Sequence, residues 1–185
     1  MERTSSMNAE RKKRRALIDF ILYVIVVFAA AFFIILFVGQ RTVVSGSSMQ
    51  PTLNNGDNLI VDKLTYRFHE PERFDIIVFP YQDGTYYIKR IIGLPGETVR
   101  IDEEGSIYIN GERLQESYGK EVIKNPGCAI EEITLDDDSY FVLGDNRNKS
   151  MDSRDKRVGL IRREAILGKA RWRIYPFTKI GALDG

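Results

Sequence analysis

Two residue types that do chemistry together stand in separate strings of this chain. Ser48 lies in Ser45-Gly46-Ser47-Ser48-Met49-Gln50-Pro51-Thr52-Leu53, and Lys89 in Tyr87-Ile88-Lys89-Arg90. A serine hydroxyl is a weak nucleophile until a base takes its proton, and a lysine serves as that base once its own charge is suppressed. Gly46 permits a close backbone approach, Pro51 stiffens the turn, and backbone N–H groups around Ser48 can face a developing oxyanion. Each string also has a plainer reading. Serines before proline bond their own backbone in turns, and a lysine on an edge strand discourages aggregation.

A third cluster, Gly144-Asp145-Asn146-Arg147-Asn148-Lys149-Ser150-Met151-Asp152-Ser153-Arg154, follows the apolar run Tyr140 to Leu143. A calcium loop is disfavoured: Arg147 and Lys149 stand where an EF-hand needs oxygen ligands, and its glycine is missing. Two readings stay open, a plain polar turn and a scaffold in which Asp145, Arg147, Asp152 and Arg154 pair their charges while Ser150 orients a lysine amine. The single histidine, His69, sits in Phe68-His69-Glu70-Pro71 with no supporting motif, so a Ser/His/Asp triad is not expected. With one cysteine, Cys128, an internal disulfide is impossible, and a Cys/His metal site is not expected. No metal or cofactor is predicted.

The elements that must position these residues read as mainly β. Beyond residue 39 the apolar pattern has period two, with β-branched and aromatic residues in short runs between turn signals. Strands are predicted over Arg41–Val44, Asn58–Leu64, Asp75–Pro80, Thr85–Ile92, Thr98–Asp102, Ser106–Asn110, Ser139–Leu143 and Ala165–Tyr175. Asn110-Gly111 supplies the positive φ angles of a tight hairpin. Alternation puts Lys89 on one strand face with Tyr87 and Ile91, and Arg90 on the other with Ile88 and Ile92. Burial of Lys89 without a carboxylate would disfavour its charged form. Residues 103–138 are acidic and turn-rich, and read as a small excursion inserted in residues 39–185. Trp172, Tyr175 and Phe177 have two open roles, core packing and contact with a bilayer.

Phe20 to Val38 is a 19-residue run without charge, proline or glycine. As a helix it spans about 28 Å, close to the roughly 30 Å of a bilayer's hydrocarbon core. It exceeds the apolar region of a cleaved signal peptide, so a retained transmembrane helix over 20–38 is expected. Arg11-Lys12-Lys13-Arg14-Arg15 precedes it, which by the positive-inside bias makes residues 1–19 cytoplasmic and 39–185 extracytoplasmic. Contact with anionic lipid accounts for that basic cluster, and with a net charge of only +1 no nucleic-acid surface is expected.

With the three clusters in this order after an N-terminal anchor, the chain resembles the bacterial type I signal peptidases, membrane-bound Ser/Lys endopeptidases of compact Gram-positive type. The resemblance implies an antiparallel-β catalytic domain of signal-peptidase type and makes Ser48, in Ser48-Met49-Gln50-Pro51-Thr52, the nucleophile. It makes Lys89, before Gly93-Leu94-Pro95-Gly96, the general base. By the same carry-over Ser150 orients Lys89, Asp145 pairs with Arg90, and Asp152 with Arg154 braces the site. Implied substrates are secretory preproteins with small residues at −1 and −3, with Val44, Met49, Leu53, Ile88 and Tyr87 lining the pockets. Membrane lipid and the export translocon are the further implied partners.

Four positions depart from the family pattern: Gly46 replaces a serine that assists the oxyanion in some members, Asn148-Lys149 replaces Asp-Asn, and Phe74 replaces the glycine of Arg-Gly-Asp. The competing class is a noncatalytic, membrane-anchored module that binds extracytoplasmic peptides. It has no need of both the serine and the lysine strings. A self-cleaving Ser/Lys repressor would carry a helix-turn-helix where this chain has its apolar run.

Overall fold

Short apolar runs become stable strands only when both backbone edges and at least one face are covered. In this chain two antiparallel sheets do the covering. The structure, a computed structural model, describes residues 2–37 and 39–183, with side chains at 12–31, 39–82 and 84–183. Its strands are β1 Gly39–Val43, β2 Asn58–Asp62, β3 Ile76–Pro80, β4 Tyr86–Gly93, β5 Thr98–Ile101, β6 Ile107–Ile109, β7 Glu112–Arg113, β8 Ile133–Thr134, β9 Ser139–Leu143, β10 Ile161–Arg162, β11 Gly168–Tyr175 and β12 Gly181–Ala182. The main sheet runs β1-β2-β11-β3-β4-β9-β10, with β12 on β11, and the second runs β7-β6-β5-β8.

The strand that carries Lys89 is central, not an edge. β4 pairs with β3 in the register Ile77↔Lys89 and Ile76↔Arg90, and with β9 in the register Arg90↔Leu143. Continuous burial from Ile88 to Gly93 explains why Ile88, Ile91 and Ile92 are all apolar: each face of β4 meets a core. Ile88 packs with Val44, Met49, Leu53 and Val61, while Ile92 joins Val99, Ile101, Phe141 and Leu143. Ile91 packs with Ile77, Phe79 and Val142. Each such side chain contributes about 1.5–3 kcal/mol when buried. Because the β9 register begins at Arg90, Tyr86–Lys89 has no β9 partner along its second edge.

Residues 103–138 supply β6, β7 and β8 to the smaller sheet, whose remaining strand, β5, precedes them. Its hairpin turns at Asn110 (φ 52°) and Gly111 (φ 79°), the left-handed pair that the Asn-Gly dipeptide favours. Ile107, Ile109, Ile123 and Leu135 share their core with Phe141 and Leu143 of the main sheet.

The N-terminal unit is one α-helix, α1, over Glu2–Phe37. Its polar and apolar residues are separated along its length rather than by face, and Phe20, Ile21, Leu22, Tyr23, Ile25, Val26, Val27 and Phe28 are all exposed. Among the described residues no helix is long and apolar enough to cross a membrane. The expected span runs on to Val38, and its last part, from residue 32, lies outside the described side chains. Trp172, Tyr175 and Phe177 are exposed rather than core residues, with the Tyr175 and Phe177 rings edge to face at 5.6 Å.

Candidate active site

Ser48 arrives on the loop between β1 and β2, whose shape is set by its own polar groups. The Gly46 N–H donates to Asn55 Oδ1 at 2.9 Å, the Leu53 N–H to Met49 O at 2.8 Å, and Gly46 holds φ at 95°, which a side chain would strain. Met49 and Leu53 anchor the loop in the core. The Gly144–Arg154 segment then clamps it from the other side: the Asn146 N–H donates to Ser48 O at 2.9 Å and Asn146 Nδ2 to Ser47 O at 3.0 Å. The Ser48 N–H is left with no protein acceptor among the described residues and remains available to an oxyanion.

Across this loop, Lys89 Nζ donates to Ser48 Oγ at 2.9 Å and to Ile88 O at 3.1 Å. Lys89 is 3% exposed, and its amine lies 4.9 Å from the centre of the Tyr87 ring. Burial pushes it down to about 8, against a smaller opposing pull from Asp152 and Asp145. Neither carboxylate forms a salt bridge with it. A largely dehydrated amine within hydrogen-bond reach of a hydroxyl can take its proton when neutral.

The neighbouring cation is treated differently. Arg90 Nε and Nη2 form a bidentate pair with Asp145 Oδ1 and Oδ2, both at 2.9 Å, Nη1 donates to Phe74 O at 2.8 Å, and the guanidinium lies 3.7 Å over the Tyr118 ring. Arg154 grips Asp152 in the same way, Nε to Oδ1 at 2.8 Å and Nη2 to Oδ2 at 2.9 Å. Asp152 Oδ2 also accepts the Gly144 N–H at 3.1 Å. These pairs brace the segment that holds Ser48, and their carboxylates oppose the lowering of Lys89 only in part. Phe74 adopts a left-handed φ of 73°, a conformation suited to the glycine it replaces, and its ring packs 5.0 Å from Tyr118.

Two expectations need correction. Ser150 Oγ does not bond Lys89; it is buried without a hydrogen-bond partner. Gly144 gives it space, because a Cβ there would lie 2.2 Å from Ser150 Oγ and 2.5 Å from Ser48 O. Leu53 does not line a pocket, because its side chain is fully buried in the core beneath the loop. A cleft of about 730 Å³ opens over Ser48 and Lys89, and Val44, Met49, Tyr87 and Ile88 do line it.

Sequence reasoning missed Asn146, which holds the serine loop, and Thr52, whose hydroxyl donates to Asp145 Oδ2 at 2.5 Å. It also missed Glu116, which pairs with Arg147 Nη1 at 2.7 Å. Asn146 and Thr52 sit inside the quoted strings and could have been proposed as clamps; Glu116 lies in the turn-rich excursion with no local signal. His69 lies beyond α2 (Thr65–Phe68) and does not line the cleft. No group of three or more His, Cys, Asp or Glu arranged to hold a metal ion occurs among the described residues.

Comparison with known proteins finds the family described as signal peptidase, peptidase S26, matching residues 17–175. A probable signal peptidase I-2 of Synechocystis sp. is 41% identical over 154 residues, covering 80% of this chain and 68% of that protein. Signal peptidase I P of Bacillus subtilis subsp. natto is 34% identical over 179 residues, covering 92% of this chain and 96% of the relative. A crystal structure of a signal peptidase I from Enterococcus faecalis V583 is 36% identical and covers 55% of this chain and 97% of that one, with a TM-score of 0.45.

Proposed function

The chain belongs to the signal peptidase family, peptidase S26, and from that premise we propose that Ser48 and Lys89 are its catalytic dyad. It is a serine endopeptidase, and its reaction is the removal of signal peptides from preproteins. The observation that carries the dyad is the 2.9 Å contact between Ser48 Oγ and the buried Lys89 amine. Neutral Lys89 takes the hydroxyl proton as Oγ attacks the scissile carbonyl, and the Ser48 N–H receives the oxyanion. Lys89 then protonates the leaving amine, and deprotonates the water that hydrolyses the acyl-enzyme. With Gly46 at the position where some relatives carry a serine, the backbone N–H bears most of the oxyanion's charge.

The substrate lies extended along the Tyr86–Lys89 edge that β9 leaves unpaired, as an added strand. Val44, Met49, Ile88 and Tyr87 line shallow pockets that admit small side chains at −1 and −3. Asp145 with Arg90 and Asp152 with Arg154 hold the loop in place.

We also infer that residues 20–38 cross the membrane once, with residues 1–19 cytoplasmic and 39–185 outside, where export through the translocon delivers preproteins. The exposed apolar side chains of α1 and the basic run before them support this reading. Exposed Trp172, Tyr175 and Phe177 suit contact of the β-domain with the bilayer. Full-length protein carrying Ser48→Ala or Lys89→Ala should fold, by circular dichroism, yet fail to cleave a preprotein in detergent. Cleavage retained by either variant refutes the dyad, and accessibility of residues 39–185 to protease from the cytoplasmic side only would reverse the topology.

A further inference from the structure

Three stretches line the cleft over Ser48 and Lys89: residues 42–49, residues 81–82 with 85–89, and Lys149 with Met151. Among the described side chains that line it, the first two stretches carry no charge but that of Lys89. Lys149 and Met151 flank Ser150, whose hydroxyl lies over Gly144, and both line the cleft with the dyad. Lys149 is exposed, and it stands where the family pattern has a neutral residue.

It is not alone. The Lys120 N–H donates to Asp145 O at 2.8 Å while its amine reaches Gln50 Oε1 at 3.4 Å, and the Lys124 N–H donates to Asn148 Oδ1 at 3.0 Å. Between them Glu121 accepts from Asn148 Nδ2 at 3.0 Å. That hydrogen bond, then the fields of Lys124, Lys120 and Lys149, hold the Glu121 carboxyl below its ordinary range. Of these groups Lys149 alone lines the cleft, and Lys120 and Lys124 add positive charge beside it.

We propose that Lys149 selects substrates carrying an acidic residue just after the scissile bond. The inference rests on the protease reading above and names a substrate preference within it. Residues before the scissile bond occupy the uncharged walls that run up to Ser48 and Lys89, where small and apolar side chains fit. The departing segment leaves past the loop that carries Lys149. A carboxylate there meets a cation at an exposed rim, so the preference is modest and salt-sensitive, about fivefold in kcat/KM at low ionic strength. An anionic lipid headgroup would satisfy the same ammonium, but Lys149 shares its cavity with the nucleophile and base, which favours the substrate.

The test uses full-length protein in neutral detergent and three preprotein-derived peptides with alanine at −1 and −3. They differ only in Asp, Asn or Lys at the first residue after the cut. Wild type is expected to rank Asp over Asn over Lys, with a ratio of about five between the extremes that collapses toward one at about 0.5 M salt. Lys149→Glu should reverse the order, chiefly through KM, while Lys179→Glu, the same charge change away from the cleft, should keep it. An order unchanged in Lys149→Glu, or an equal loss for all three peptides, overturns the proposal alone. So does an effect of Lys149→Glu that is uniform across peptides and appears only on vesicles containing anionic lipid. If wild type cleaves none of the three, the protease reading falls and the proposal with it.

Discussion

Lys89 and Arg90 are consecutive, both on β4 and both buried, yet the protein handles their charges in opposite ways. Arg90 on one face receives a bidentate carboxylate, a carbonyl and an aromatic ring. Lys89 on the other receives a serine hydroxyl, a carbonyl and a tyrosine ring, with no carboxylate in contact. A guanidinium remains charged under almost any condition, so burying it demands a counter-ion; an ammonium can shed its proton instead. Withholding the salt bridge from Lys89 is what makes it a base, and supplying one to Arg90 is what holds Asp145 and its loop against Ser48.

Removing each cation should therefore fail differently. Lys89→Ala is expected to lower preprotein cleavage by at least about a thousandfold, because the hydroxyl loses its base. Its thermal unfolding midpoint should be at least as high as that of wild type at pH 7. Arg90→Met should instead unfold the protein, since an unpaired buried Asp145 costs about 3–5 kcal/mol in chemical denaturation. If Arg90→Met is stable and merely slow, the assignment of a structural role to this face is wrong.

Gly144→Ala attacks the point where the two faces meet. A methyl group there collides with both Ser150 Oγ and the Ser48 carbonyl, so kcat should fall about a hundredfold with a stability loss of about 1–3 kcal/mol. Ser150→Ala is gentler: its hydroxyl has no hydrogen bond to lose, so kcat should stay within about threefold of wild type. A drop of about tenfold or more would mean that Ser150 reaches the Lys89 amine during turnover.

A further expected effect lies in stability against pH. Folded Lys89 releases its proton near 8, whereas the unfolded chain holds it to the ordinary value of 10.5. Between those values the unfolded state binds more protons, so stability rises with pH, by up to about 3 kcal/mol over the whole window. Below 8 both states are protonated and this contribution is absent. Lys89→Met should flatten that slope in urea titrations.

This contrast was half legible in the sequence. Strand alternation put Lys89 with Tyr87 and Ile91, and Arg90 with Ile88 and Ile92, and the Asn110-Gly111 turn was readable because only a few residues tolerate positive φ. What alternation cannot supply is depth: a period of two leaves open whether one or both cations are buried, and only the central position of β4 decides it. Leu53 was misplaced for a related reason, since its nearness in sequence to Ser48 says nothing of which way a loop turns its side chains. Glu116 was invisible because its partner, Arg147, lies in a distant segment.

The pH dependence of kcat/KM for preprotein cleavage by the full-length enzyme tests the central claim most directly. Below about 8 the Lys89 amine is protonated and cannot accept the serine proton, so the rate should climb with pH and reach half its plateau near 8. A midpoint near the ordinary lysine value of 10.5 would mean that burial does not tune the base. A midpoint near the usual histidine value of about 6.5, lost in His69→Ala, would mean that Lys89 is not the base at all.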